Sequence, residues 1–185
     1  MREAINLIIQ GLRLILKFIV LQEKQTPVVS MSSTKDRGRL LFISSQECLD
    51  TDPSPDDTTP DGVACVDSAW NGVLMRVPEL ARHFSDQPQG FIGTWTIGQF
   101  FKKDERFTRV HSTEARPGDF ALSITGEGDK ATGITNGHIG IVMEGDMIAS
   151  NDSRTGIWEM NYSHNDWYKR WAKIGEYPVY YFRIN

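Results

Sequence analysis

A cysteine and a histidine, far apart in the chain, carry the chemistry that this sequence can support. Cys65 precedes Val66-Asp67-Ser68-Ala69-Trp70-Asn71-Gly72-Val73-Leu74, whose apolar spacing predicts an amphipathic helix that starts at the thiol. A free thiol with a pKa of about 8.5 is mostly protonated at neutral pH, and only the thiolate attacks a carbonyl well. The unpaired amides and partial positive charge of a helix N-terminus favour that anion. His138 opens a predicted strand in Asn136-Gly137-His138-Ile139-Gly140-Ile141-Val142-Met143. Alternation puts His138, Gly140 and Val142 on one face and Ile139, Ile141 and Met143 on the other. An imidazole brought to the thiol would act as general base and stabilise the thiolate. Each residue also has an ordinary role: free cysteines are often small buried apolar groups, and strand histidines are often only hydrogen-bonded.

A third member follows from hairpin geometry. Glu144-Gly145 lies between two apolar runs and suits a two-residue turn. That register pairs Met143 with Asp146, Ile141 with Ile148 and His138 with Asn151. Directly opposed side chains share a face, so Asn151 is expected to hold the ring and aim its other nitrogen at the thiol. A three-residue turn would slip the register by one and present Asp152 instead. Ser150-Asn151-Asp152-Ser153 can also be read simply as a polar strand end. The backbone N–H of Cys65 is the natural oxyanion donor. The glycine-rich run from Gly126 to Gly133 does not match a phosphate-binding loop and is expected to form a wall of the cleft. His83, His111 and His164 lack a comparable setting and are expected at the surface.

The elements that must position these groups fit within one domain and an appendage. The chain has 185 residues, 39% of them hydrophobic, with nine Phe, five Trp and five Tyr, enough for a single packed core. A net charge of −4 gives no pull toward nucleic acid. Two cysteines are too few for a disulfide scaffold, although Cys48 and Cys65 could form one bridge. The apolar neighbours of Cys48 favour a packing role for it.

Residues 1–25 differ from the rest. Between Ile5 and Leu21 the polar residues Asn6, Gln10, Arg13 and Lys17 fall in one stripe of a helix, opposite a wide apolar face. Arg13 and Lys17 argue against a plain membrane span. A membrane-surface helix, a helix docked on a partner protein or on itself, a signal or signal-anchor sequence, and a terminal helix lying on its own domain all fit the pattern. Residues 26–35 have linker composition, and residues 36–185 form the predicted domain.

Within that domain, helices are expected at Asp36–Leu49, after Cys65, at Pro78–Phe84 and at Thr94–Lys103, with Thr94 as an N-cap and Trp95, Phe100 and Phe101 as apolar contacts. The Asp50–Asp61 loop is acidic, but it lacks EF-hand spacing and a closing glutamate, so no metal is expected. Strands follow at Asp119–Thr125, Gly137–Met143, Met147–Asn151, Gly156–Tyr162 and Tyr177–Ile184, with a helix at Asn165–Lys173. Helices first, then a mostly antiparallel sheet of about five strands, is an α+β order.

Cys65 at a helix head, Arg116-Pro117-Gly118-Asp119-Phe120 opening a strand, and Gly137-His138-Ile139-Gly140-Ile141-Val142 followed by a hairpin resemble the NlpC-type cysteine peptidases. These are papain-like cell-wall hydrolases allied to the CHAP amidases. Pro60-Asp61-Gly62-Val63-Ala64-Cys65, Asp52-Pro53-Ser54-Pro55-Asp56 and Ser150-Asn151-Asp152-Ser153 look like bacteriophage-encoded members. So does the ending, with Asn161-Tyr162, Trp167 and Pro178-Val179-Tyr180-Tyr181-Phe182. The resemblance spans roughly residues 36 to 185.

It implies a papain-like fold, with Cys65 as nucleophile, His138 as base and Asn151 as the orienting group. The substrate would be peptidoglycan peptide stems, cut by an endolysin or virion-associated lysin without metal or organic cofactor. The site of action would be the periplasm or cell wall, reached from a phage particle or an infected cell. Residues 1–25 would meet a membrane surface or a phage structural protein. The chain departs from the family in carrying Val66-Asp67 where a Ser-Gly pair is common, and in lacking a histidine at the third position. Two rivals remain: an acyltransferase or amidase on a non-wall substrate, and a non-catalytic structural or wall-binding virion protein.

Overall fold

Helix α1 (Arg37–Glu47) begins where the Asp36 side chain accepts from the Arg39 amide at 2.9 Å, which supplies one of the partners a helix start lacks. The computed structural model describes residues 36–54, 64–87, 91, 93–124, 137–152 and 154–185. The expected N-terminal helix of residues 1–25, the linker 26–35, the acidic stretch 55–61 and the glycine-rich run 126–133 lie outside the described residues.

Among the described residues four more helices follow. They are α2 (Ala64–Asp67), which continues as a wider π-helical stretch (Ser68–Leu74), α3 (Pro78–His83), α4 (Thr94–Lys103) and α5 (His164–Tyr168), continued by a second π-helical stretch (Lys169–Ile174). The strands are β1 (Phe107–Val110), β2 (Phe120–Ser123), β3 (His138–Val142), β4 (Met147–Asn151), β5 (Trp158–Ser163) and β6 (Val179–Ile184). They form one antiparallel sheet in the order β1-β6-β2-β3-β4-β5. The α+β class stands. The sheet has six strands rather than about five, because the short segment Phe107–Val110 pairs with β6 as an extra edge.

Strand alternation divides the core in two. Leu122, Ile124, Ile139, Ile141 and Phe182 face Leu41, Trp70, Val73, Leu74, Ile97 and Phe101 of α1, α2 and α4. Ala121, Val142, Ile148 and Tyr181 face Trp167 of α5 and Trp171 of the π-helical stretch that continues it. Each cluster removes apolar surface from water, the principal favourable term in folding. Polar pins fix the layers: Trp158 Nε1 donates to Ser45 Oγ at 3.0 Å, and Ser44 Oγ donates to the Val73 carbonyl at 2.6 Å. At the head of β2, buried Asp119 takes a two-pronged contact from Arg183, with Nε–Oδ1 3.0 Å and Nη2–Oδ2 2.8 Å. This charge-assisted clamp joins the strand-opening motif to β6.

Three local expectations change. The N-cap of α4 is Gly93, with Thr94 as its first residue. Trp95 is 42% exposed and packs less than its type suggested, while Phe101 is buried. His83 and His164 are half-buried, against Phe84 and Tyr181 respectively, and only His111 is fully exposed.

Candidate active site

The loop before the nucleophile candidate is held by close packing. Gly72 leaves room for the Pro53 carbonyl, which a Cβ there would strike. Ser54 Oγ donates to Asp67 Oδ2 and Asn71 Nδ2 donates to Asp67 Oδ1, both at 2.7 Å. Asp67 thereby ties this loop to the first turn of α2, two residues beyond Cys65.

Cys65 is 8% exposed and belongs to the helix-side core. The backbone amides of Ile139, Val66 and Cys65 lie near enough to its sulfur to favour the anion. Burial nevertheless dominates and pushes the thiol up to about 11, with the three amides opposing. Cys48 is also a free thiol, and no disulfide joins the two. Its sulfur is fully buried, with Arg76 Nη1 at 2.9 Å, which fits the expected packing role.

His138 lies one position before Ile139, whose amide acts on the thiol, but its ring packs on the other face of the sheet. Ring centroids are 5.3 Å from Trp171 and 5.6 Å from Trp167, with interplanar angles of 28° and 32°. Nε2 is 3.1 Å from Ser150 Oγ, and Ser150 Oγ donates to Asn161 Oδ1 at 2.7 Å. The Ser150 hydroxyl thus bridges the ring to Asn161 and fixes the ring orientation through Nε2. Burial drives the imidazole down to about 4, helped by the charge of Arg170, while the Asn151 backbone and Asp152 oppose. Among the described residues no hydrogen bond joins the ring to the Cys65 sulfur.

The expected pairing of His138 with Asn151 is corrected. The register is Gly140 with Ser150, Ile141 with Ala149 and Val142 with Ile148. The turn therefore has three residues, Glu144-Gly145-Asp146, closed by Met143 N–H donating to the Met147 carbonyl at 2.8 Å. Gly145 and Asp146 both take left-handed conformations, with φ of 71° and 63°. Aspartate tolerates that region, and its doing so lengthens the turn by one residue. The slip sends the Asn151 side chain to the helix face, where Nδ2 donates to Ser68 Oγ at 3.1 Å and to the Gly156 carbonyl at 2.8 Å. Ser150 takes the position beside the ring. The three-residue turn is the alternative that presents Asp152, and Asp152 does line the cavity with His138 and acts on the ring electrostatically. Its carboxylate pairs with Arg154, Nη2–Oδ2 3.0 Å.

His138, Asp152, Arg154, Tyr162, Arg170 and Trp171 line a cavity of about 360 Å³, with Asn151 completing the wall. A second depression of about 420 Å³, around Arg109, His111 and Tyr168, contains neither thiol nor imidazole candidate. Sequence reasoning missed Ser150 as the ring's partner, and Trp171 as its stacking platform. The signal for the aromatic pair was the spacing of Trp167 and Trp171, four apart and therefore on one helical face. Among the described residues no cluster of His, Cys, Asp or Glu could hold a metal ion, and no helix is long and apolar enough to cross a membrane. Neither a family model nor a curated protein matches the sequence.

Proposed function

We propose that the chain is a papain-like cysteine hydrolase that cuts amide bonds in bacterial peptidoglycan peptide stems, in the manner of a phage lysin. The observation that carries the reading is the buried thiol in the first turn of α2, near backbone amides that favour its anion. Cys65 supplies the sulfur that forms the thioester. The His138 imidazole takes the thiol proton as sulfur attacks, passes it to the leaving amine, and then activates water for deacylation. The amides of Cys65 and Val66 face the place where negative charge develops.

For that transfer the ring, at the first position of β3, must reach the sulfur around the strand end. Ser150 and Asn161 hold the ring from which that approach begins. In this reading Asn151 supports the α2 segment through Ser68 rather than orienting the base. Residues 1–25 would tether the enzyme to a membrane surface or a phage structural protein, placing its work in the periplasm or wall.

The test is digestion of purified peptidoglycan, with released fragments identified by mass spectrometry. The intact chain should release muropeptide fragments and Cys65→Ala should release none. Equal release by both would remove the proposal. A second reading, a non-catalytic wall-binding virion protein, is favoured by the high thiol pKa and by the ring's seat away from the sulfur. It requires wall binding in sedimentation without release of fragments.

A further inference from the structure

The cavity in front of His138 carries one more positive charge than its own residues balance. Arg154 is paired with Asp152 at 3.0 Å. Arg170 has its guanidinium carbon 5.0 Å from the centroid of the Trp171 ring. Among the described residues no carboxylate pairs with it. His138 is neutral at physiological pH, so the lining holds two guanidiniums against one carboxylate. Arg170 acts electrostatically on both His138 and Tyr162, so its charge reaches the part of the cavity where the imidazole lies.

The Trp171 face supports the guanidinium plane, and a guanidinium so placed presents parallel N–H groups that match a carboxylate. A lysine would offer a point charge and not that fork. The cavity volume of about 360 Å³ is at the small end of the roughly 300–1,000 Å³ range of ligand sites. It suits a residue-sized group rather than a long chain.

We infer that this cavity is a carboxylate subsite, in which Arg170 grips a free carboxylate of a short peptide through its unpaired guanidinium. The subsite deepens the hydrolase reading, because His138, the base of that reading, lines the same cavity. Carboxylate binding itself does not depend on that chemistry.

The experiment is calorimetric titration of the full chain carrying Cys65→Ser with N-acetyl-alanyl-alanine and with its C-terminal amide. The carboxylate form should bind at least about tenfold more tightly, as expected for a charge-assisted pair. Arg170→Gln should erase the difference, and Arg170→Lys should restore part of it. Thermal melts of both variants should match the parent, since Arg170 lies at the surface. Equal affinity for the two forms, binding of neither, or a preference that survives Arg170→Gln would overturn the inference. A carboxylate preference in a chain that cuts no wall peptide would leave the subsite standing and remove the hydrolase reading. Cleavage of both peptide forms at equal rates would do the reverse.

Discussion

On one face of β3 the Cys65 thiol lies buried in the helix-side core, whereas on the opposite face the His138 ring rests on Trp171 and Ser150. Burial acts on both groups in the sense that disfavours charge. It raises the thiol to about 11 and lowers the imidazole to about 4. The resting pair is therefore a neutral thiol and a neutral imidazole, with the proton firmly on sulfur. A thiolate–imidazolium pair would require the two values to lie the other way round. For the proposed hydrolase, this difference means that the thiol loses its proton as it attacks rather than beforehand.

The largest effects should come from removing either side of this arrangement. Cys65→Ala should lower peptidoglycan cleavage by at least about a thousandfold, and His138→Ala by about 10²–10⁴-fold, the range for a positioned acid–base group. Turbidity loss of purified walls measures both. Retention of most activity by His138→Ala would show that the imidazole on the far face takes no part.

Thiol reactivity sharpens the comparison. Alkylation of Cys65 by iodoacetamide should rise about tenfold per pH unit from neutrality toward pH 10, following the thiolate fraction. A plateau reached below pH 8 would mean that the thiol is already ionised by a partner.

The opposite face makes a stability prediction. His138 is buried in its neutral form, and its folded pKa lies below the unfolded one. The unfolded chain therefore binds the extra proton first as pH falls. Stability is full above about 6.5 and declines toward pH 4, by up to about 3 kcal/mol at 1.36 kcal/mol per unit. Urea unfolding across that window should show the decline, and His138→Gln should flatten it. An unchanged slope in that variant would place the titrating group elsewhere.

The smallest effects separate two neighbours on β4. Ser150→Ala should lower kcat by about tenfold through loss of ring orientation, and should also cost about 1–3 kcal/mol because the buried His138 Nε2 loses its partner. Asn151→Ala should leave kcat of the folded enzyme nearly unchanged and cost about 1–3 kcal/mol, because Ser68 and the Gly156 carbonyl lose a buried partner. Thermal melts run beside single-substrate kinetics decide the pair, and a reversal of the two outcomes would reinstate Asn151 as the orienting residue.

Much of the frame was legible because its signals are local. Thr94–Lys103 is bounded as its apolar spacing predicts, and Pro78 opens α3 at the position where a missing N–H costs nothing. The alternation in β3 correctly assigned Ile139 and Ile141 to one core and Val142 to the other. Strand β1 was illegible because Phe107-Thr108-Arg109-Val110 carries little pattern of its own, and its pairing partner is at the far end of the chain. The β3–β4 register failed on a single residue. Asp146 entered the left-handed region beside Gly145, and that one step exchanged Ser150 for Asn151 beside the ring. The tryptophan seat of His138 was hidden because it depends on the far face of the sheet, which a strand pattern marks only as apolar.

Trapping the acyl-enzyme bears most directly on whether Cys65 and His138 work together. The chain is mixed with a slowly deacylating peptide ester, quenched in acid and digested, and the modified peptide is located by mass spectrometry. The acyl group should be found on Cys65, should be absent from Cys48, and should be lost in His138→Ala. No adduct on Cys65, or an adduct that forms equally without the imidazole, would contradict the pairing.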